Sequence, residues 1–290
     1  MDYKENGFVI STNGNVKTLV SYEGVETEIT IPTGVTAIGS HAFSFCDSLT
    51  SITIPGSVTS IGWSAFSFCD SLTSITIPSN VTSIDKEVFQ GCNSLTSVTF
   101  SENSQLTSIG DYAFSFCDSL TSIVIPDSVT TIGEYVFRGC SSLTSITFGE
   151  SSRLTSIGWA AFDECSSLTS ITIPNGVTTV ESHTFANCTS LTSVTIPASV
   201  TDIGDFAFFE CDSLTSIIIP YSVITIGLEA FGCCSSLTSI TFEDASSWYR
   251  KVNDSIGLFD IAGIETNVTN ALINVIHFTS RYSYCSWYKK

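Results

Sequence analysis

LTSITIPGSVTSIGWSAFSFCDS, residues 49–71, decides the fold because it recurs. Copies begin at Leu72, Leu95, Leu120, Leu143, Leu168, Leu191 and Leu214, and a partial copy, LTSITF, begins at Leu237. A degenerate copy, ETEITIPTGVTAIGSHAFSFCDS, begins at Glu26. Self-similarity at one fixed period is the mark of a solenoid. The copies from Leu95 and Leu143 have 25 residues, and both lengthen at the same place, Phe100 to Leu106 and Phe148 to Leu154. Insertions confined to one column predict a surface loop.

Within the unit, Ile52 and Ile54 alternate with Ser51 and Thr53. That alternation predicts a strand with one apolar and one hydroxylated face. Pro55 ends it, because proline lacks the N–H that a ladder requires. Val58 to Ile61 reads as a second extended piece, Gly62 turns the chain, and Ala65-Phe66 reads as one helical or 3₁₀ turn. One coil cannot fold alone. Its roughly eight apolar side chains contribute about 1.5–3 kcal/mol each when buried, whereas ordering costs about 1.5 kcal/mol per residue. Stacking must supply the difference. At about 4.8 Å per strand, ten coils span about 50 Å.

The run Cys46-Asp-Ser-Leu49-Thr-Ser-Ile52-Thr-Ile54-Pro55 resembles the leucine-rich-repeat core, C-x-x-L-x-x-I-x-I. Its continuation, Val58-x-x-Ile61-Gly62-x-x-Ala65-Phe66-x-x-Cys69, is similar to the BspA-like, or treponemal-type, class of that family. Asp85 and Glu181 depart from the Gly, and Val88, Val136 and Thr184 from the small Ala. The resemblance implies a right-handed, curved leucine-rich-repeat solenoid of about ten repeats. Its parallel β-sheet would line the concave face, with short extended or 3₁₀ segments on the convex side. It also implies a surface or secreted protein of bacteria or protists, acting in adhesion or host interaction and binding protein or glycan.

The chain divides into residues 1–24, an N-terminal cap, residues 25–242, the repeats, and residues 243–290, an aromatic-rich C-terminal cap or attachment tail. Phe8-Val9-Ile10 and Leu19-Val20 predict a hairpin turning near Asn13-Gly14. The start, Met1 to Gly7, lacks the apolar segment of a signal peptide. That leaves a removed leader, another export route or a cytoplasmic location.

Net charge is −18, from 28 acids and 10 bases. Such a balance repels phosphate backbones, so nucleic acid is not an expected partner. A cationic partner or divalent ions suit it better, if the acids do more than confer solubility. No apolar run reaches the length of about 20 residues that a membrane span needs, so membrane insertion is not expected.

Cys46, Cys69, Cys92 and their equivalents through Cys234 form one column. Stacked thiols about 4.8 Å apart are poorly placed for disulfides, whose Cβ atoms lie nearer about 3.8 Å. A ladder of free thiols is expected, with Cys233 and Cys285 off the column. No cofactor or metal site is expected. His41 and His183 share a column about 30 Å apart, too far to cooperate, and no catalytic constellation emerges, so the chain reads as a non-enzyme. Asp47, Asp70, Asp118 and Asp212 share a column and are expected to satisfy loop N–H groups, with calcium as the alternative.

Two sets of residues are candidates for partner binding. Ser51/Thr53 and Ser74/Thr76 begin a hydroxylated face, either a solvated strand surface or a weaker match to an ice-binding array; Val124 and Ile218 interrupt its Thr line. The second set is aromatic. Phe45, Phe68 and Phe116 occupy the slot before Cys, where other repeats carry Gly, Glu or Asn. Trp63 and Trp159 follow the turn Gly, and Tyr112, Tyr135 and Phe206 lie one place later. A slot that tolerates Phe, Gly and Glu alike is expected to be exposed, and neighbouring exposed rings often mark contact sites. Packing along the edge is the plainer reading. An intracellular scaffold or interaction module is the alternative to the adhesin.

Overall fold

The computed structural model describes residues 2–243, 248–252 and 285–289, with backbone alone for Asp2 and the last two segments. Each repeat contributes two short strands, such as Ser51–Thr53 and Ser60–Ile61. Like strands pair in parallel with their equivalents one coil away, in strict register: Ser74 with Ser97, Ile75 with Val98, Thr76 with Thr99. In the second row Ile38 faces Ile61 and Ile61 faces Ile84. The predicted stacking is therefore present, as a parallel β-solenoid without a helix among the described residues.

The apolar alternation puts Ile52, Ile75 and Ile123 inside with Leu49, Val58 and Ile61, and leaves Ser51 and Thr53 in solvent. Each coil also inserts one phenylalanine. Phe43, Phe66, Phe89, Phe114, Phe137, Phe162, Phe185, Phe208 and Phe231 are fully buried. Neighbouring rings stack, with centroids 4.9 Å apart for Phe43–Phe66 and 5.5 Å for Phe114–Phe137. Where the column holds glycine, the neighbouring coil approaches closely. A Cβ on Gly158 would lie 2.5 Å from the Gly133 carbonyl carbon.

Ala65-Phe66 lies in a run of turns rather than a 3₁₀ segment. Alternate N–H groups there point in different directions. Those of His41, Phe43 and Phe45 donate to Trp63, Ala65 and Ser67 of the next coil, at 2.8–2.9 Å. Those of Ala42, Ser44 and Cys46 donate three residues back, to Gly39, His41 and Phe43. The turn edge is thus a third inter-coil ladder, which satisfies the backbone without helix geometry. The alternation needs left-handed backbone at two columns: φ is +58° at His41 and +59° at Phe45, and later coils repeat both values closely.

At the start, β1 (Asp2–Glu5), β2 (Phe8–Asn13) and β3 (Val16–Tyr22) form an antiparallel meander. Its hairpin turn falls at Gly14-Asn15, one residue later than expected. Strand β3 then pairs in parallel with Ala37–Ile38 of the first coil. At the other end, Cys285–Lys289 pairs antiparallel with Thr225–Ile226, and Trp248–Val252 pairs with Cys285–Lys289. Phe259, Phe278, His277, Tyr282 and Tyr284 lie outside the described residues, as do the side chains of Trp248, Tyr249, Cys285, Trp287 and Tyr288.

Candidate functional site

The left-handed columns carry most of the predicted aromatic candidates. Phe45 and Phe68 stack at 5.2 Å and 7°, and Phe45 is 68% exposed. The Phe68 ring lies over Gly91, whose φ is +69°; a Cβ there would meet the ring at 2.5 Å. Gly139 holds the same relation to Phe116. A phenylalanine in this slot is therefore paired with either another ring or a glycine one coil on. The coil of Gly91 separates Phe116 from Phe68.

The second row is longer. Tyr112 stacks on Tyr135 at 4.6 Å, and Trp159 stands at 84° to Tyr135, also at 4.6 Å. His183 follows at 5.4 Å from Trp159, then Phe206 at 4.9 Å and Phe209 at 5.6 Å. Column position in the sequence places Tyr112, Tyr135 and Phe206 together, but the bridging rings of Trp159 and His183 and the extension to Phe209 do not follow from it. The signal for His183 is that it shares the slot of Tyr135 and Phe206. Trp63 contacts His41 at 4.4 Å and stands apart from this row. Between them, Glu87 accepts from Trp63 Nε1 at 3.0 Å, and Lys86 Nζ lies 5.4 Å over the Tyr112 ring.

One cation sits where the two aromatic columns meet. Arg138 Cζ is 5.7 Å from the Phe116 ring centre and 5.5 Å from that of Tyr135. Its Nη2 donates to Glu164 Oε1 at 3.0 Å. Its Nε is 3.3 Å from Asp163 Oδ2, within ion-pair reach but without hydrogen-bond alignment. The Glu164 bond raises the Arg138 pKa further, while burial pushes the Asp163 carboxyl up despite the nearby guanidinium.

Ser51, Thr53, Ser74 and Thr76 lie together on the solvent side of the first strand row, away from the aromatic columns. Regular ladder pairing in their row runs to Ser145–Phe148 and resumes in two two-stranded sheets, while the Thr169 N–H still donates to Thr144 across the first gap. Other hydroxyls have a structural use that the repeat pattern did not disclose. Thr73, Thr96 and Thr144 donate to the backbone carbonyls of Thr50, Thr73 and Thr121 one coil before. The Asp70 column behaves differently from expectation. Asp70 and Asp212 accept from Asn93 and Ser235, their own counterparts one coil on. Backbone N–H groups reach Asp111 and Asp205 instead, at 2.9 Å and 2.6 Å.

Two hollows adjoin the insertion loops, of about 690 Å³ and 520 Å³. Val98, Phe100, Pro126, Asp127 and Arg153 line the larger one. The insertions marked these places in the sequence, but the shape depends on neighbouring coils.

The ten described cysteines are free. From Cys69 onward each column thiol also donates to a phenylalanine carbonyl of the preceding coil, as Cys69 Sγ does to Phe43 at 3.1 Å. Burial pushes the Cys140 thiol up to about 12 and that of half-buried Cys46 to about 11. An alkylating reagent needs thiolate and access. Mass-spectrometric mapping after brief iodoacetamide treatment at neutral pH should therefore find exposed Cys233 modified and Cys92 through Cys211 unmodified until the protein is unfolded. Modification of Cys140 at the rate of Cys233 would contradict this packing. Among the described residues no cluster of His, Cys, Asp and Glu is placed to hold a metal, and no helix is long and apolar enough to cross a membrane.

The model of the BspA type leucine rich repeat region matches six copies here, over residues 22–144 and 107–238. A leucine-rich repeat protein from Bacteroides ovatus is 39% identical over 74% of this chain, with a TM-score of 0.66, and the match spans 54% of that protein. The T. pallidum leucine-rich repeat protein is 26% identical, with a TM-score of 0.56, over 74% of this chain and 91% of its own. The pneumococcal vaccine antigen PcpA, at 18% identity and a TM-score of 0.55 over 83% of this chain and 81% of its own, shares the fold. No curated protein matches significantly. Repeat pattern, in-register stacking and these likenesses agree: the chain belongs to the BspA-type leucine-rich repeat family, with the architecture of a repeat-type interaction protein.

Proposed function

We propose that this chain is a non-enzymatic binding protein of the cell-surface adhesin or host-interaction kind, which grips a protein or glycan partner with its turn edge. One observation carries the reading: rings stand half-exposed where the fold needs none. Gly91 and Gly139 occupy the slot of Phe45, Phe68 and Phe116, with the same left-handed backbone. Glycine takes that conformation without strain and other residues do not. Phenylalanine there costs stability and exposes apolar surface, a combination expected of a contact site. The hydroxyl face, interrupted by exposed Val124 and Ile218, suits solvation better than lattice matching to ice.

The free thiols favour a second reading, an intracellular interaction module, because exposed Cys233 would be at risk of oxidation outside the cell. Antibody labelling of intact source cells separates the two. The contact surface is tested by capture on arrays of extracellular-matrix proteins and mucin glycans, using wild type and the triple variant Phe45→Gly, Phe68→Gly, Trp63→Ala. Glycine preserves the backbone conformation of the two Phe sites. Loss of at least about tenfold in affinity is expected for removing central aromatic contacts. Binding that survives intact would retire this edge as the contact surface.

A further inference from the structure

The protein already performs one recognition event on this edge, within itself. The Arg138 guanidinium lies against the Phe116 and Tyr135 rings and pairs with Asp163 and Glu164. Lys86, also on the turn edge, likewise sits over a ring, that of Tyr112. Elsewhere on the edge the same ingredients stand without a resident cation among the described residues. Phe45 and Phe68 stack beside Asp47 and Asp70 in sequence, and Phe206 and Phe209 lie between Asp205 and Glu210.

We infer that the turn edge receives an arginine-rich, cationic polypeptide segment, whose guanidinium groups seat on these rings and carboxylates as Arg138 does. This rests on the turn edge being the contact surface and names the chemistry of its partner. A guanidinium is planar. It can lay its face on an aromatic ring while its fork donates to carboxylates, whereas an ammonium is a compact, strongly hydrated point charge. The edge therefore selects arginine over lysine. Net charge of −18 draws either one in from a distance. It disfavours anionic glycans.

Arg138 also supplies a sharp test. Arg138→Ala vacates the socket and removes one positive charge. Arg153→Ala removes the same charge from the insertion-loop hollow, where no aromatic cage stands. Affinities for fluorescent nona-arginine and nona-lysine peptides would be measured by anisotropy at about 0.1 M salt, where exposed charges act only over about 10 Å. Thermal melts would confirm that each variant is folded.

Wild type should bind nona-arginine more tightly than nona-lysine. Arg138→Ala should gain about threefold for nona-arginine over Arg153→Ala, the scale of one exposed cation–π seat. Phe45→Gly with Phe68→Gly should lose about as much per ring. Equal affinities of Arg138→Ala and Arg153→Ala, or equal binding of the two peptides, would overturn the inference. If the matrix or glycan partner is still lost in the Phe variants, the contact surface stands and only its arginine chemistry falls. Phe variants unchanged in both assays remove both.

Discussion

Phe137→Ala should destabilise the protein by about 3–5 kcal/mol, the range for truncating a fully buried phenylalanine. Phe137 has no exposed surface and stacks on Phe114 at 5.5 Å and Phe162 at 5.4 Å. Removing it opens the ring column at its middle, where both neighbouring coils lose a face. For a chain of this size that corresponds to a fall in the melting temperature of about 6–20 °C. Stability in a solenoid is a sum of coils and nearest-neighbour interfaces. The loss should therefore also split the unfolding transition, because the coils on either side become less coupled. Thr147→Ala, on the exposed strand face one coil away, should stay within about 0.5 kcal/mol. Calorimetry of the two variants checks the pair. Equal melting temperatures would mean that the phenylalanine column does not join the coils.

Removing a whole coil should do less harm than removing half of one. Deletion of residues 191–213 joins Ser190 to Leu214 and leaves every remaining residue in its column. Like still faces like: Ser170 would pair with Ser216 as it now pairs with Ser193. The expected cost is one coil's share of stability, about 1–3 kcal/mol at 0.05–0.15 kcal/mol per residue. Deletion of residues 191–201 removes fewer residues but shifts every later column. Isoleucines would then face turn segments, and the coils after residue 201 should unfold. Circular dichroism and limited proteolysis distinguish the outcomes. A half-coil deletion as stable as the whole-coil one would contradict column-by-column pairing.

The parts of the fold visible in the sequence were those governed by short patterns. Ile52 and Ile54 alternate within one strand, Pro55 ends it, and the 25-residue copies mark their own loops. Each is a local rule repeated often enough to be read. The turn segment was not readable in this way. Every second N–H there pairs with the next coil, as Phe43 does with Ala65, 22 residues ahead, and no local period announces that half of the bonding. A short Ala-Phe run therefore suggested a 3₁₀ turn where there is a third ladder.

The candidate edge was legible to a similar depth. Phe, Gly and Glu alternating before Cys correctly suggested exposure of Phe45 and Phe68. The same substitution held a second message, the left-handed backbone, because glycine recurs where φ is positive. Column counting cannot show the setting of Arg138, since its partners come from three coils and different columns. Nor could it show that Glu87 and Lys86 divide Trp63 from Tyr112. The Asp70 column suggests a local role, because aspartate often satisfies nearby loop N–H groups. Stacking offered it a closer partner one coil on.

Every row of rings, hydroxyls and thiols exists only if the coils pile up in phase. The most direct measurement is a pulsed dipolar distance between spin labels on unnatural side chains at positions 51 and 193, which leaves the thiols untouched. These positions are equivalent and lie six coils apart. Stacked strands predict one narrow distance near about 29 Å. A broad distribution, or one centred far from that value, would contradict the stacking and with it the aromatic edge.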